Sequence, residues 1–150
     1  MIVRTTRVIA KPPATLWPLL CASRMDGAPV CRLGLGIPTP LACRLESGSS
    51  GGVGARRQCI SDQGLTEQRI TIWEPERTLA FRMERTGAAY GRLLQAMEDR
   101  FDLVAVAGGT RITRTTVFQV RAGICSWGRA PAIAMGLKRV HLHVFANWAR

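Results

Sequence analysis

Near the C-terminus, Ile133, Leu137, Val140, Val144 and Trp148 recur at spacings of three and four. Side chains spaced this way stack on one face of an α-helix. The spacing predicts one long helix over 129–150, with Pro131 in its first turn, where a missing N–H leaves nothing unpaired. Lys138, Arg139, His143 and Asn147 fall largely on the opposite side, and His141 sits at the edge of the stripe. An apolar stripe of this length has to be covered. Everything before it reads as short strands, so a sheet laid against one helix is the packing that buries both.

The strands follow from alternation and from turn residues. Residues 2–10 are rich in Val, Ile and Thr, and Lys11-Pro12-Pro13 ends that strand. Residues 14–22 read as a short helix with Leu16, Trp17 and Leu20 as its apolar face. The pattern breaks at 25–29. Residues 30–46 hold Gly34, Gly36, Pro38 and Pro40 and read as an irregular or edge strand. The Ser/Gly stretch 47–54 reads as a hairpin tip rather than a phosphate cradle, because G-x-x-x-x-G-K-[ST] is absent. A hairpin centred on Gly51 makes Cys43 and Cys59 cross-strand neighbours.

Residues 55–61, 65–73 and 78–84 are the next strands. Pairing Ile72 with Leu79 and Ile70 with Phe81 puts Gln68, Ile70, Ile72, Leu79, Phe81 and Met83 on one face. Glu67, Arg69, Arg82 and Glu84 share the other, a wet face able to form diagonal charge pairs. Residues 86–95 read as a loop with a helical turn. Residues 97–107 and 110–121 form a hairpin about Gly108-Gly109, since both accept positive φ. Phe101 then opposes Thr116, Leu103 opposes Arg114 and Asp99 opposes Phe118. Met97, Asp99, Phe101, Leu103, Ile112, Arg114 and Phe118 share the inner face, which makes Asp99 and Arg114 polar residues on an apolar wall. Residues 122–129 link to the long helix.

The 150 residues favour a single domain, with 47% apolar residues to build a core. The net charge of +11 comes almost entirely from arginine, and the arginines are scattered. There is no basic run and no aromatic interleaving, so a solvated surface is the preferred reading and a nucleic-acid partner is not expected. No apolar run is long enough to span a membrane, and no signal peptide is read at the start. The five cysteines are odd in number, widely spaced and without C-x-x-C. Free thiols in a reducing cytoplasm are the expectation, and no zinc site is.

Three stretches carry a family resemblance. GARRQCISDQGLTEQRITIWEPERTLAFRM (residues 54–83) resembles the central strands of the SRPBCC (START-like) superfamily, in its polyketide cyclase/dehydrase-like branch. AGGTRIT (107–113) resembles that family's late hairpin, and IAKPPATLWPLL (9–20) its entry strand and first helix. The resemblance implies an α+β helix-grip fold: a curved antiparallel sheet wrapped around a long C-terminal helix, enclosing an apolar cavity. It further implies a hydrophobic small-molecule ligand, since members bind lipids or hormones, or cyclise and dehydrate polyketides. No cofactor is implied, and the partner state, a homodimer included, is left open.

Two sets of residues follow as candidates. His141 and Asp99 are the candidate acid/base pair of a cyclase-like enzyme: the one as a cavity histidine, the other as a carboxyl whose pKa burial would raise. Each has a plainer reading, as a core histidine bonded to a backbone group and as a carboxylate paired with arginine. Arg57, Gln68, Phe101, Arg114, Phe118 and Trp148 are the candidate ligand-binding residues, Arg114 for its forked grip on a carboxylate or enolate oxygen. His141 and His143 are two apart on a helix and point about 200° from one another, so no shared metal is expected.

Overall fold

The computed structural model describes residues 1–26, 36–123 and 126–150, with the backbone alone at 126 and 127. In chain order the elements are β1 (Ile2–Ile9), α1 (Pro13–Cys21), β2 (Ser23–Arg24), β3 (Pro40–Leu45), β4 (Arg56–Ser61), β5 (Gly64–Glu74), β6 (Thr78–Thr86), a 3₁₀ turn (Ala89–Leu93), β7 (Leu94–Val106), β8 (Gly109–Val120) and α2 (Ser126–Trp148). Among the described residues eight strands form one antiparallel sheet in the order β1-β8-β7-β6-β5-β4-β3-β2. All but the first step join sequence neighbours. The sheet curls as a half-barrel around α2, which is the helix-grip arrangement.

The stripe of α2 is buried as its spacing requires: Ile133, Leu137, Val140, Val144 and Trp148 are all in the core, joined by Phe145. Lys138 is exposed. The start of the helix differs from expectation. It begins at Ser126, so Pro131 is its sixth residue and lies within the helix. A proline there removes one i→i−4 bond, which the helix tolerates because its packed stripe, not its backbone ladder, holds it. Most of the break read at 25–29 and the first part of 30–46 fall on residues 27–35, outside the described residues; the later part of 30–46 holds β3.

Two hairpin registers also correct the sequence reading. A bulge between Ile70 and Ile72 pairs Ile72 with Ala80 and Trp73 with Leu79. Ile70 still faces Phe81, but Trp73 turns inward and meets Trp17 edge-on at 5.1 Å. In the β7–β8 hairpin Val106 pairs with Gly109, so the two turn residues are Ala107 and Gly108. Every pair is two residues from the expected one: Asp99 faces Thr116, Phe101 faces Arg114 and Leu103 faces Ile112. A slip of two keeps each side chain on its own face. The inner-face assignments therefore stand while the partners change. Glycine is required beside the turn: at Gly109, φ is +145° and a Cβ would lie 2.1 Å from the Ile9 carbonyl oxygen.

The β3–β4 hairpin has the symmetric register, with Cys43 opposite Cys59 and their Cα atoms 4.2 Å apart. The two are joined as a disulfide, which overturns the free-thiol reading for this pair. Cys21 is free; Cys31 and Cys125 lie outside the described residues. The tip of this hairpin is packed, for Gly51 lies so close to the Trp73 indole that a Cβ would sit 2.2 Å from it. On the outer face Arg69 and Glu84 form the expected diagonal ion pair.

Candidate functional site

Between α2 and the inner face of β3–β8 lies a cavity of about 70 Å³. Its walls are mostly apolar: Phe81, Phe101, Leu137, Val140, Val144 and Trp148 on the sheet and helix sides, with Met25, Ile37, Pro38 and Pro40 nearby. The Cys43–Cys59 bridge forms part of the wall. The polar groups are few: Arg57, Gln68, Asp99 and Arg114, with Thr66, Ser61 and Tyr90. Period-two alternation places them. Arg57 on β4 pairs with Gln68 on β5, so the two side chains emerge together on the inner face.

Asp99 and Arg114 form a buried ion pair with two hydrogen bonds, Nε to Oδ1 at 2.9 Å and Nη2 to Oδ2 at 3.1 Å. Thr116 also donates its hydroxyl to Asp99 Oδ1. Burial alone would raise the Asp99 carboxyl; the Arg114 charge, with the bonds from Arg114 and Thr116, outweighs it and holds the group below its ordinary range. The Arg114 guanidinium lies over the Phe101 ring at 5.1 Å.

His141 is fully buried but is not among the residues lining the cavity. Its Nε2 is 2.8 Å from Thr116 Oγ1 and its Nδ1 is 3.1 Å from Thr5 Oγ1. One hydroxyl has one proton, and that of Thr116 goes to Asp99. Thr116 must therefore accept from His141 Nε2–H, and the neutral ring must accept at Nδ1 from Thr5. The bonds run in one direction: Thr5 to His141, His141 to Thr116, Thr116 to Asp99. Burial and then the Arg114 charge push the His141 pKa down to about 3, so the ring is uncharged at neutral pH.

Arg57 is held differently. Its Nε and Nη2 donate to the Leu20 carbonyl at 3.2 and 3.0 Å, and its Nη1 donates to Gln68 Oε1 at 2.5 Å. Leu20 is in the last turn of α1, where carbonyls lack helical partners. The guanidinium lies 4.6 Å from the Phe81 ring centroid. Burial, and then the Arg114 charge, lower its pKa to about 10. Tyr90 is pushed up to about 12 by burial. The Trp148 Nε1–H is buried without a hydrogen-bond partner.

Of the residues singled out from sequence, Arg57, Gln68, Asp99, Phe101, Arg114 and Trp148 come together around the cavity. Phe118 is buried in the core beside it, and His141 is one hydrogen bond behind Asp99's partner Thr116. Thr5, Thr116 and Tyr90 were not singled out. Thr116 was within reach, since alternation through Ile112, Arg114 and Phe118 puts it on the same face. Thr5 was not, because its role depends on which strand lies under His141. Among the described residues no group of His, Cys, Asp and Glu is arranged to hold a metal ion.

A long helix gripped by a curved sheet around a mainly apolar cavity defines a helix-grip protein. The chain matches the family described as polyketide cyclase/dehydrase and lipid transport over residues 1–147, and it belongs to that family. It is similar to the Zhui aromatase/cyclase from a Streptomyces species, at 16% identity and TM-score 0.67, with 99% of this chain and 91% of that one covered. It is also similar to protein MLL2253 from Mesorhizobium loti, at 18% identity and TM-score 0.66, covering 99% and 94%. A third similar structure is DynU16, a protein of the dynemicin biosynthetic locus, at 18% identity and TM-score 0.63; this chain is covered over 99% and that one over 46%. A search of the curated proteins gives no match. No helix among the described residues is long and apolar enough to cross a membrane.

Proposed function

We propose that this protein binds a hydrophobic small molecule in the cavity between α2 and the sheet. The observation that carries the reading is the wall itself: aromatic and aliphatic side chains from both layers, with a few fixed polar groups among them. A family that includes lipid transport supports it. The other reading is a cyclase-like enzyme in which His141 and Asp99 move protons. Two observations weigh against it. Both His141 ring nitrogens are engaged by threonines away from the cavity, and Asp99 is held ionised by Arg114. In this reading His141 is a positioning residue for Thr116 and Asp99. The cytoplasm is kept as the proposed place of action.

The test is to fill the cavity. Val140 faces it from α2, and Val140→Phe should cost about 1–3 kcal/mol of stability through overpacking. The variant should still fold, as seen by circular dichroism. Its affinity for neutral apolar probes such as medium-chain alkanols, read by calorimetry, should fall at least tenfold. Unchanged affinity in the folded variant would place the binding elsewhere and end this reading.

A further inference from the structure

Arg57 is a buried cation, 3% exposed, with no carboxylate partner among the described residues. The Leu20 carbonyl and the Gln68 amide oxygen satisfy three of its N–H groups. Those are dipoles, and they add no whole charge. A buried ion left without a counter-ion is costly, and proteins rarely keep one without a use.

The other ionisable groups at the site do not supply the missing charge. Asp99 is committed to Arg114 through two hydrogen bonds. Tyr90 and His141 are uncharged at neutral pH. The cavity therefore carries one net positive charge, on Arg57. Of the five N–H groups of a guanidinium, two remain on Arg57, one on each terminal nitrogen. A carboxylate accepts from such a pair with both oxygens. One carboxylate would also neutralise the site, whereas a doubly charged phosphate would leave it negative. The rest of the wall is aromatic and aliphatic, which asks for an apolar body on that acid.

We propose that the cavity is a receptor for an apolar monocarboxylate whose carboxylate is seated on Arg57. This rests on the cavity-binding reading above and names the chemical class of its ligand.

The experiment compares linear alkanoates with alkanols of the same chain length, over a series from short to medium chains, by calorimetry at neutral pH. The wild-type protein should bind the acid at least tenfold more tightly than the matching alcohol. Arg57→Met and Arg57→Gln should reduce that ratio to near one. A merely structural arginine would weaken both ligands together. Equal binding of acid and alcohol by the wild type, which needs no variant to fold, would overturn the proposal and leave the cavity reading standing. A preference that persists in the Arg57 variants would overturn the assignment to Arg57. If no member of either series binds, the cavity reading falls and this one with it.

Discussion

At the scale of single residues, the site is organised by where protons are allowed to be. His141 refuses a proton that the unfolded chain accepts: its pKa is about 3 in the folded protein against an ordinary 6.5. Between those values the unfolded state binds more protons, so stability falls as pH falls through 6.5 and the loss ends near 3. The slope is at most about 1.4 kcal/mol per pH unit. Asp99 acts in the same sense, because its carboxyl is held low, but only from the ordinary carboxylate range downward. The interval from pH 7 to 5 therefore isolates histidine. His143, lowered more mildly by burial and Arg150, is removed as His143→Asn. In that background urea denaturation should show stability dropping from pH 7 to 5, and His141→Gln should flatten the drop. An unchanged slope in the glutamine variant would mean that His141 is not the group being titrated. Periodicity had brought His141 only to the edge of the stripe. What sequence did not show was its partners, since Thr5 lies 136 residues away and nothing local links the two.

At the scale of elements, α2 carries the argument. Leu137 is 2% exposed on the packed stripe and Lys138, one residue on, is exposed. Leu137→Asp should cost several kcal/mol, about that of a lost buried contact plus an unpaired buried charge. Lys138→Asp should stay within about 0.5 kcal/mol of wild type. Equal melting temperatures for the two variants would contradict the packing of α2. The phase of the helix was legible because 3.6-residue periodicity depends only on local spacing. Its start was not, because Pro131 imitates a first-turn proline and nothing in the spacing marks a further turn before it. The hairpins repeat the lesson. The inner face of β7 and β8 was readable from alternation, but the register was not, because Gly108 and Gly109 allow two turns offset by one residue, whose pairings differ by two and leave both faces intact. In β5 the bulge at Ile70–Ile72 has no signal in the residues around it.

At the scale of the whole molecule, the cavity joins elements remote in sequence, so the candidate residues were legible one at a time and their meeting was not. Arg57 illustrates this: it faces inward because it pairs with Gln68 across the Asp62–Gln63 turn, a register that its own strand does not set. The Cys43–Cys59 bridge ties the β3–β4 side of the wall, across a sequence separation of 16. A loop of that length predicts about 3 kcal/mol of stabilisation, chiefly by restricting the unfolded chain. The double variant Cys43→Ala/Cys59→Ala should lose about that much, and reductant should lower the wild-type melting temperature but not the variant's. If reductant leaves the wild type unaffected, the bridge is not formed in solution. Disulfides are uncommon in a reducing cytoplasm. Trapping thiols by alkylation in intact cells would therefore test the proposed location as well.

One further consequence follows from the place of β1, which pairs with β8 alone at the edge of the sheet. A ribosome makes β1 well before β8, and α2 after both. Until β8 is made β1 has no neighbour, and until α2 is made the concave side of the growing sheet has no helix to lie against. Neither Thr5 nor Thr116 can meet His141 until the final turns of α2 emerge. Such late, long-range closure slows folding and leaves apolar surface open to wrong partners. Until α2 arrives, the newborn sheet is an unroofed trough.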